Sequence, residues 1–181
     1  MEAKPVKLLL HVCCAPCSVR CIASLREEGI EPVLFWYNPN IHPFTEYKNR
    51  RDSLVQYAQN LALQIIMDDQ YGLRQFIRTV NDHANRCISC YALRMDGAAI
   101  TAKEKGFDAF CTTLFISPYQ NHQVLKEQAE AAAEKYGIQL LYRDFRPQFY
   151  ESRAEGRHLG FYMQKYCGCI LSEEERYLKK K

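Results

Sequence analysis

The stretch "VKLLLHVCCAPCS", residues 6–18, decides the fold. "VKLLLHV" is a short, mostly apolar run of the kind that forms a buried strand, and it ends in three cysteines. A helical stretch follows from about Ser18 to Glu28 and stops near Gly29. Working outward, "EPVLFWYN" is a second strand, rich in β-favouring side chains, and "NPNIHP" closes it. Residues Thr45 to about Leu63 read as a long helix, with Tyr47, Leu54, Tyr57, Ala58 and Leu61 at helical spacings. "LQIIMDD" is a third strand, and "YGLRQFIRTV" a short helix. "CISCYALRMDGAAITAKEKG" is a helix ending at Gly106, where a C-cap glycine belongs. "FDAFCTTLFISP" is a fourth strand, "NHQVLKEQAEAAAEKYG" a helix ending at Gly137, and "IQLLYRDF" a fifth strand. Strand and helix alternate throughout, which predicts a mostly parallel sheet covered by helices on both faces. Residues 147–181 break the pattern and read as a mostly helical C-terminal extension that carries a CxC. Its charged end, "SEEERYLKKK", has acids early and lysines late, as a solvated helix end prefers; an RNA contact at "KKK" is the lesser reading.

The chain has 181 residues, 48% of them hydrophobic and 12% aromatic, which suits one domain with a packed core. A net charge of +3 permits a nucleic-acid partner without demanding one. No run approaches the roughly 18 to 20 apolar residues of a membrane span. "LLLHV" is also shorter than the apolar region of a signal peptide and contains a histidine. The expectation is a cytoplasmic protein with no membrane association.

Nine cysteines are many for such a chain, and the odd number does not suit a fully paired disulfide framework. In open α/β sheets ligands bind beyond the carboxyl ends of the strands. "HVCCAPC", "YNPNIHP", "MDD", "FISPYQ" and "RDFR" all fall there, so five segments converge on one rim. CAPC at Cys14–Cys17 invites a thioredoxin-type reading, but the extra Cys13, the distant second CxxC and the extended parallel alternation speak against it. Cys87 and Cys90 offer two thiolates to one metal, and Cys13 and Cys14 are the nearest supply of two more. Either a structural zinc or a 4Fe-4S cluster would suit those four. Cys17 is then a spare ligand for another metal or a buried helix-terminal thiol, while Cys21 and Cys111 read as core. Cys167 and Cys169 can close only a small, strained disulfide ring, which points to a redox-active dithiol or to two further metal ligands. Asn38, Asn40, Ser117, Tyr119 and Gln120 offer the polar groups and aromatic face that a nucleoside needs. His42 reads either as a brace for its turn or as a site residue, and Asp144 with Arg146 either as a local ion pair or as part of the rim.

"LLLHVCCAPCS", "YNPNIHPFTEYKNR", "RCISCYALRMDGAAITAKEKGFDAFCTTLFISPYQNH", "RDFR" and "MQKYCGC", in this order from about Leu8 to Ser172, resemble the QueH family of cobalamin-independent epoxyqueuosine reductases. The resemblance implies a Rossmann-like α/β fold. It implies reduction of the epoxide of epoxyqueuosine, at the wobble position of tRNA, to queuosine. It also implies a 4Fe-4S cluster on Cys13, Cys14, Cys87 and Cys90, an adjacent mononuclear iron, and a redox-active disulfide at Cys167 and Cys169. For the second iron the candidates are Cys17 with Asp69 or Asp144. Substrate contacts are expected from Asn38, Asn40, His42, Tyr119, Gln120 and Arg146, with Tyr37, Tyr119 and Phe115 as stacking surfaces. Where related nucleotide-handling enzymes carry a glycine-rich phosphate loop this chain has cysteines, which argues against ATP. The electron donor is external and unassigned. Two other classes compete: a zinc-stabilised RNA-binding module, and a thiol oxidoreductase acting on proteins.

Overall fold

The structure, a computed structural model, describes residues 6–80 and 86–178. Five parallel strands form one sheet in the order β3-β2-β1-β4-β5: β1 Leu8–His11, β2 Val33–Trp36, β3 Ile65–Met67, β4 Ala109–Thr112 and β5 Gln139–Leu140. All four residues of β1 and of β4 are buried, because a central parallel strand has helices over both faces. The α/β fold with a parallel sheet is therefore as the alternation predicts.

The helices are α1 Ala15–Glu27, α2 Phe44–Asn60, α3 Leu73–Val80, α4 Arg86–Glu104, α5 His122–Tyr136, α6 Phe149–His158 and α7 Ile170–Tyr177. Helix α1 packs on α2 and α6, and α4 packs on α3 and α5. The chain leaves β1 towards β2 and later returns on its other side at β4. Right-handed crossovers in opposite directions put α1 and α4 on opposite faces of the sheet. The strand order reverses between β1 and β4, which makes the ends of these two strands the crevice for a ligand.

At three boundaries the structure differs from the sequence reading in an informative way. Helix α1 begins at Ala15, earlier than Ser18: Cys14 is its extended N-cap, and Pro16 lies in the first turn, where a missing N–H is harmless. Strand β4 stops at Thr112, whose side chain accepts a hydrogen bond from Leu114 N and starts a 3-10 turn over Thr113–Ile116. Strand β5 is short: it pairs with β4 only at Ala109 and Phe110, and leaves the sheet before β4 ends. Helix α5 ends as expected, with Gly137 left-handed at φ 61°.

A small apolar cluster of Phe76, Val80, Cys90 and Cys169 stands apart from the main core and ties α3 and α4 to the C-terminal segment. Among the described residues no helix is long and apolar enough to cross a membrane.

Candidate metal and thiol site

Seven thiols gather in two groups beyond the carboxyl end of the sheet. The first sits at the β1/β4 crevice. Cys13 and Cys14 follow β1, and Cys17 stands one turn into α1, so its side chain leans back towards them. The three sulfurs lie within 4.8 Å of one another, with Cys13 and Cys14 3.8 Å apart. Thr113, just past β4, accepts from Cys13 N at 3.3 Å and lies 3.5 Å from its sulfur. The Cys13 thiol is held well below its ordinary range, first by hydrogen bonds from Cys14 and Cys17, and further by the charge of Arg94. Burial pushes Cys14 up; Cys17 is pushed up by its bonds to Cys13 and Cys14 and by burial. Three soft, dry sulfurs converging in this way suit a soft metal or an iron-sulfur edge.

The second group is Cys87 and Cys90, in the first turns of α4, with Cys167 and Cys169 across from them; all four line one pocket. Burial pushes Cys90 up to about 12, against the opposing charge of Arg94, and it also raises Cys87. Gln120 bridges the pocket wall: it accepts from Tyr91 Oη at 2.7 Å and donates to Cys167 Sγ at 3.4 Å. Cys167 is exposed and Cys169 buried, and no disulfide joins them in the structure.

The CxC loop is fixed from several sides. Gly168 has φ 144°, a conformation that suits glycine, and its carbonyl accepts from His42 N at 2.7 Å. Arg50, 2% exposed and paired to Glu46 at 2.7 Å, donates to the carbonyls of Cys167 and Tyr166 at 2.9 and 3.0 Å. His42 Nδ1 accepts from Ile170 N at 3.2 Å, so its Nε2 carries the proton and donates to the Pro39 carbonyl at 3.0 Å. Burial lowers His42 to about 4, which keeps the ring neutral. From the C-terminal segment Gln164 also reaches the first thiol group, donating to Cys14 Sγ at 2.9 Å and to Cys17 Sγ at 3.5 Å.

The other expected residues are placed as follows. Asn38 is wholly buried, donating to Val12 O and accepting from Arg94 Nη2, both at 2.9 Å. Asn40 lines the thiol pocket with a buried Oδ1 that has no partner. Tyr119 is 80% exposed, with its ring edge against Phe149, whereas Phe115 is fully buried and Tyr37 stacks on Phe35. Asp69 is held by Arg51 at 2.8 Å and by Tyr47 at 2.9 Å, and Asp144 by Arg146 at 2.6 Å. Neither carboxylate joins the three-sulfur group. An open hollow of about 480 Å³ lies at the other end of the sheet, by Lys7, Val33 and Phe107, and holds none of the thiols.

The family model described as "Epoxyqueuosine reductase QueH" matches residues 8–175. The chain belongs to the epoxyqueuosine reductase QueH family. QueH proteins of Dehalococcoides mccartyi and Thermotoga maritima are similar to it. The first is 36% identical over 96% of both chains; the second is 32% identical over 93% of this chain and 91% of its own. A QueH protein of Haemophilus influenzae is 34% identical over 92% of this chain and 71% of its own. A solved structure described as a predicted subunit of tRNA methyltransferase from Methanocaldococcus jannaschii matches with a TM-score of 0.53 and 12% identity. It covers 83% of this chain and 74% of its own, and it supports the fold alone.

For this QueH-family chain the thiols are legible in the sequence, but Arg50, Arg94, Thr113 and Gln164 are not among the residues it singled out. Two of them had a signal. Arg50 falls three residues after Tyr47 and four before Leu54, on the apolar stripe of α2, and Arg94 falls likewise between Tyr91 and Ala98 on α4. An arginine on a buried stripe marks a charge with a task. Gln164 sits in an irregular segment, where no periodicity points to it.

Proposed function

We propose that this chain reduces the epoxide of epoxyqueuosine in the anticodon loop of tRNA to the alkene of queuosine, as its relatives are named for doing. The reduction breaks both C–O bonds of the epoxide, leaves a C=C bond, consumes two electrons and two protons, and releases the oxygen as water. The observation that carries this reading is the gathering of seven thiols in two groups and two buried arginines beyond the carboxyl end of the sheet, with no glycine-rich phosphate loop after β1.

The donor set fits an iron-sulfur centre: Cys13, Cys14, Cys17 and Cys90 are buried and Cys87 half-buried, their sulfurs are soft, and Arg94 lines the pocket beside Cys87 and Cys90. Cys13, Cys14, Cys87 and Cys90 are the proposed ligands of a 4Fe-4S cluster. Cys17, with a carboxylate released from Arg51 or Arg146, is proposed for the adjacent iron. When bound, the cluster supplies electrons one at a time and the iron a Lewis acid. The reduced Cys167 and Cys169 hold two electrons and two protons, which they release on closing to a disulfide, and this matches the demand of the epoxide. An external donor then reopens the disulfide. The left-handed glycine between the two cysteines gives the loop the freedom to close.

Tyr119, exposed beside Gln120 and the thiol pocket, is proposed to stack on the unstacked base of the loop, and the unpartnered Asn40 Oδ1 to accept from a substrate hydroxyl or amine. No ATP is needed for this reaction. The test is purification without oxygen, assay of iron, acid-labile sulfide and zinc, and then turnover with epoxyqueuosine tRNA. About four to five irons with about four sulfides per chain is the expected result. Zinc without sulfide would overturn the reading. Changing both Cys167 and Cys169 to serine should abolish turnover; full activity with chemical and physiological donors would remove the dithiol from the reaction.

A further inference from the structure

Arg94 lies four residues after Cys90 and seven after Cys87, so all three project from one stripe of α4. Its side chain is 1% exposed and lines the thiol pocket beside Cys90. One donor is satisfied by Asn38 Oδ1 at 2.9 Å, and Nε is buried without a partner. Arg50, the other arginine buried this deeply, has Glu46 at 2.7 Å. Arg94 has no such carboxylate: among the described residues it enters no ion pair. A guanidinium cannot discard its proton, and an uncompensated buried charge is costly. The compensating charge must therefore come from something other than an Asp or Glu of these elements.

The neighbours of Arg94 supply it. Arg94 lines the same pocket as the Cys90 sulfur, and Asn38, which holds its guanidinium, donates to the carbonyl of Val12, the residue before Cys13 and its sulfur. These two sulfurs belong to different thiol groups, one on each side of the crevice. We propose that Arg94 is the counter-ion of the thiolate centre, fixed between the β1 and α4 cysteines, where it sets how readily the centre is reduced and how firmly it is held. This rests on the metal centre proposed above and assigns a positioning role to a residue that neither ligates nor touches substrate. A fixed cation next to a cluster with four thiolates stabilises the more reduced, more negative state and so raises its potential. The role also explains why Asn38 is buried and doubly bonded: it holds the guanidinium in place.

The test compares the parent with R94K, R94Q and N38D, all purified without oxygen. The readouts are iron and sulfide content, the rate of iron loss to a chelator, and the midpoint potential from a redox titration followed by electron paramagnetic resonance. R94K keeps the charge and should stay near the parent potential. R94Q keeps a donor for Asn38 but loses the charge. It should titrate at a lower potential and lose iron about tenfold faster, the usual scale for losing a partner of a metal's ligands. N38D keeps Arg94 but hands it a carboxylate, and should lower the potential in the same direction, which keeps the test alive if R94Q does not fold. Parent potentials and parent iron retention in R94Q, or in N38D if R94Q is insoluble, would overturn the counter-ion role. A parent protein lacking iron and sulfide would instead overturn the metal centre itself.

Discussion

At Gly168 a single missing methyl group holds the CxC in place. A Cβ there would sit 3.2 Å from Ile41 Cγ1 and 3.4 Å from both Arg50 Nη1 and Asn40 Nδ2, on a backbone at φ 144°. Gly168→Ala should therefore cost roughly 1–3 kcal/mol of local strain. It should move Cys167 and Cys169 relative to Cys87 and Cys90, so turnover falls by roughly tenfold or more. Circular dichroism and a kinetic assay check this together, the first unchanged and the second reduced. His42 and His11 predict a pH dependence. Both rings are buried and bonded at both nitrogens, and burial lowers His42 to about 4 and His11 to about 3. The unfolded chain takes up these protons near pH 6.5 and the folded chain does not. Stability is thus fully kept above that pH and falls as pH drops towards about 4, by about 1.4 kcal/mol per pH unit for each ring. Urea midpoints at pH 7, 6 and 5 measure the slope; a flat profile would mean that the rings are not held neutral.

Helix α4 carries the clearest element-scale prediction. Replacing a mid-helix glycine by alanine ordinarily stabilises by roughly 1 kcal/mol. At Gly97 the sign should invert, because the new Cβ would lie 2.2 Å from Tyr37 Cε1. The ring would have to leave its stack on Phe35, or α4 would have to move off the sheet, at a cost of roughly 1–3 kcal/mol. Denaturant unfolding of G97A decides it, and a stabilised variant would show that the helix sits more loosely on Tyr37. The same scale shows what the sequence could convey. Periodicity and punctuation located the helices that form the two layers, and the apolar runs located the five strands. Where β4 ends, though, depends on the Thr112 side chain turning back to Leu114 N, and β5 pairs with β4 at only two residues. A run such as "IQLLYRDF" has the composition of a longer strand and no local mark of where its pairing stops. The site divides in the same way: clustered cysteines announce themselves, while the pairing of Arg94 with sulfur instead of a carboxylate exists only after α4 has docked beside β1.

At the scale of the whole molecule, the thiols come from β1 and α1, from the start of α4, and from a segment near residue 169. Chain this far apart is brought together by the β1/β4 reversal, and the last segment is tied down by polar contacts. Arg50 holds two of its carbonyls, His42 the backbone around Gly168 and Ile170, and Gln164 two sulfurs. A metal that takes Cys13 and Cys14 together with Cys87 and Cys90 would cross-link the β1 side to α4, the wall against which Cys169 packs. A ligand bound only by the folded state stabilises by about 4 kcal/mol at a thousand times its Kd, which for a chain of this size is roughly 8–16 °C in Tm. Stripping the metal under reducing conditions should therefore lower Tm by about that much and speed tryptic cleavage after the exposed Lys165. The far-ultraviolet circular dichroism should change little, since the strands are held by the main core. Restoring iron and sulfide should reverse both effects. If Tm and the tryptic pattern were the same with and without metal, the two thiol groups would not be bridged, and a centre confined to Cys13, Cys14 and Cys17 would be the better description.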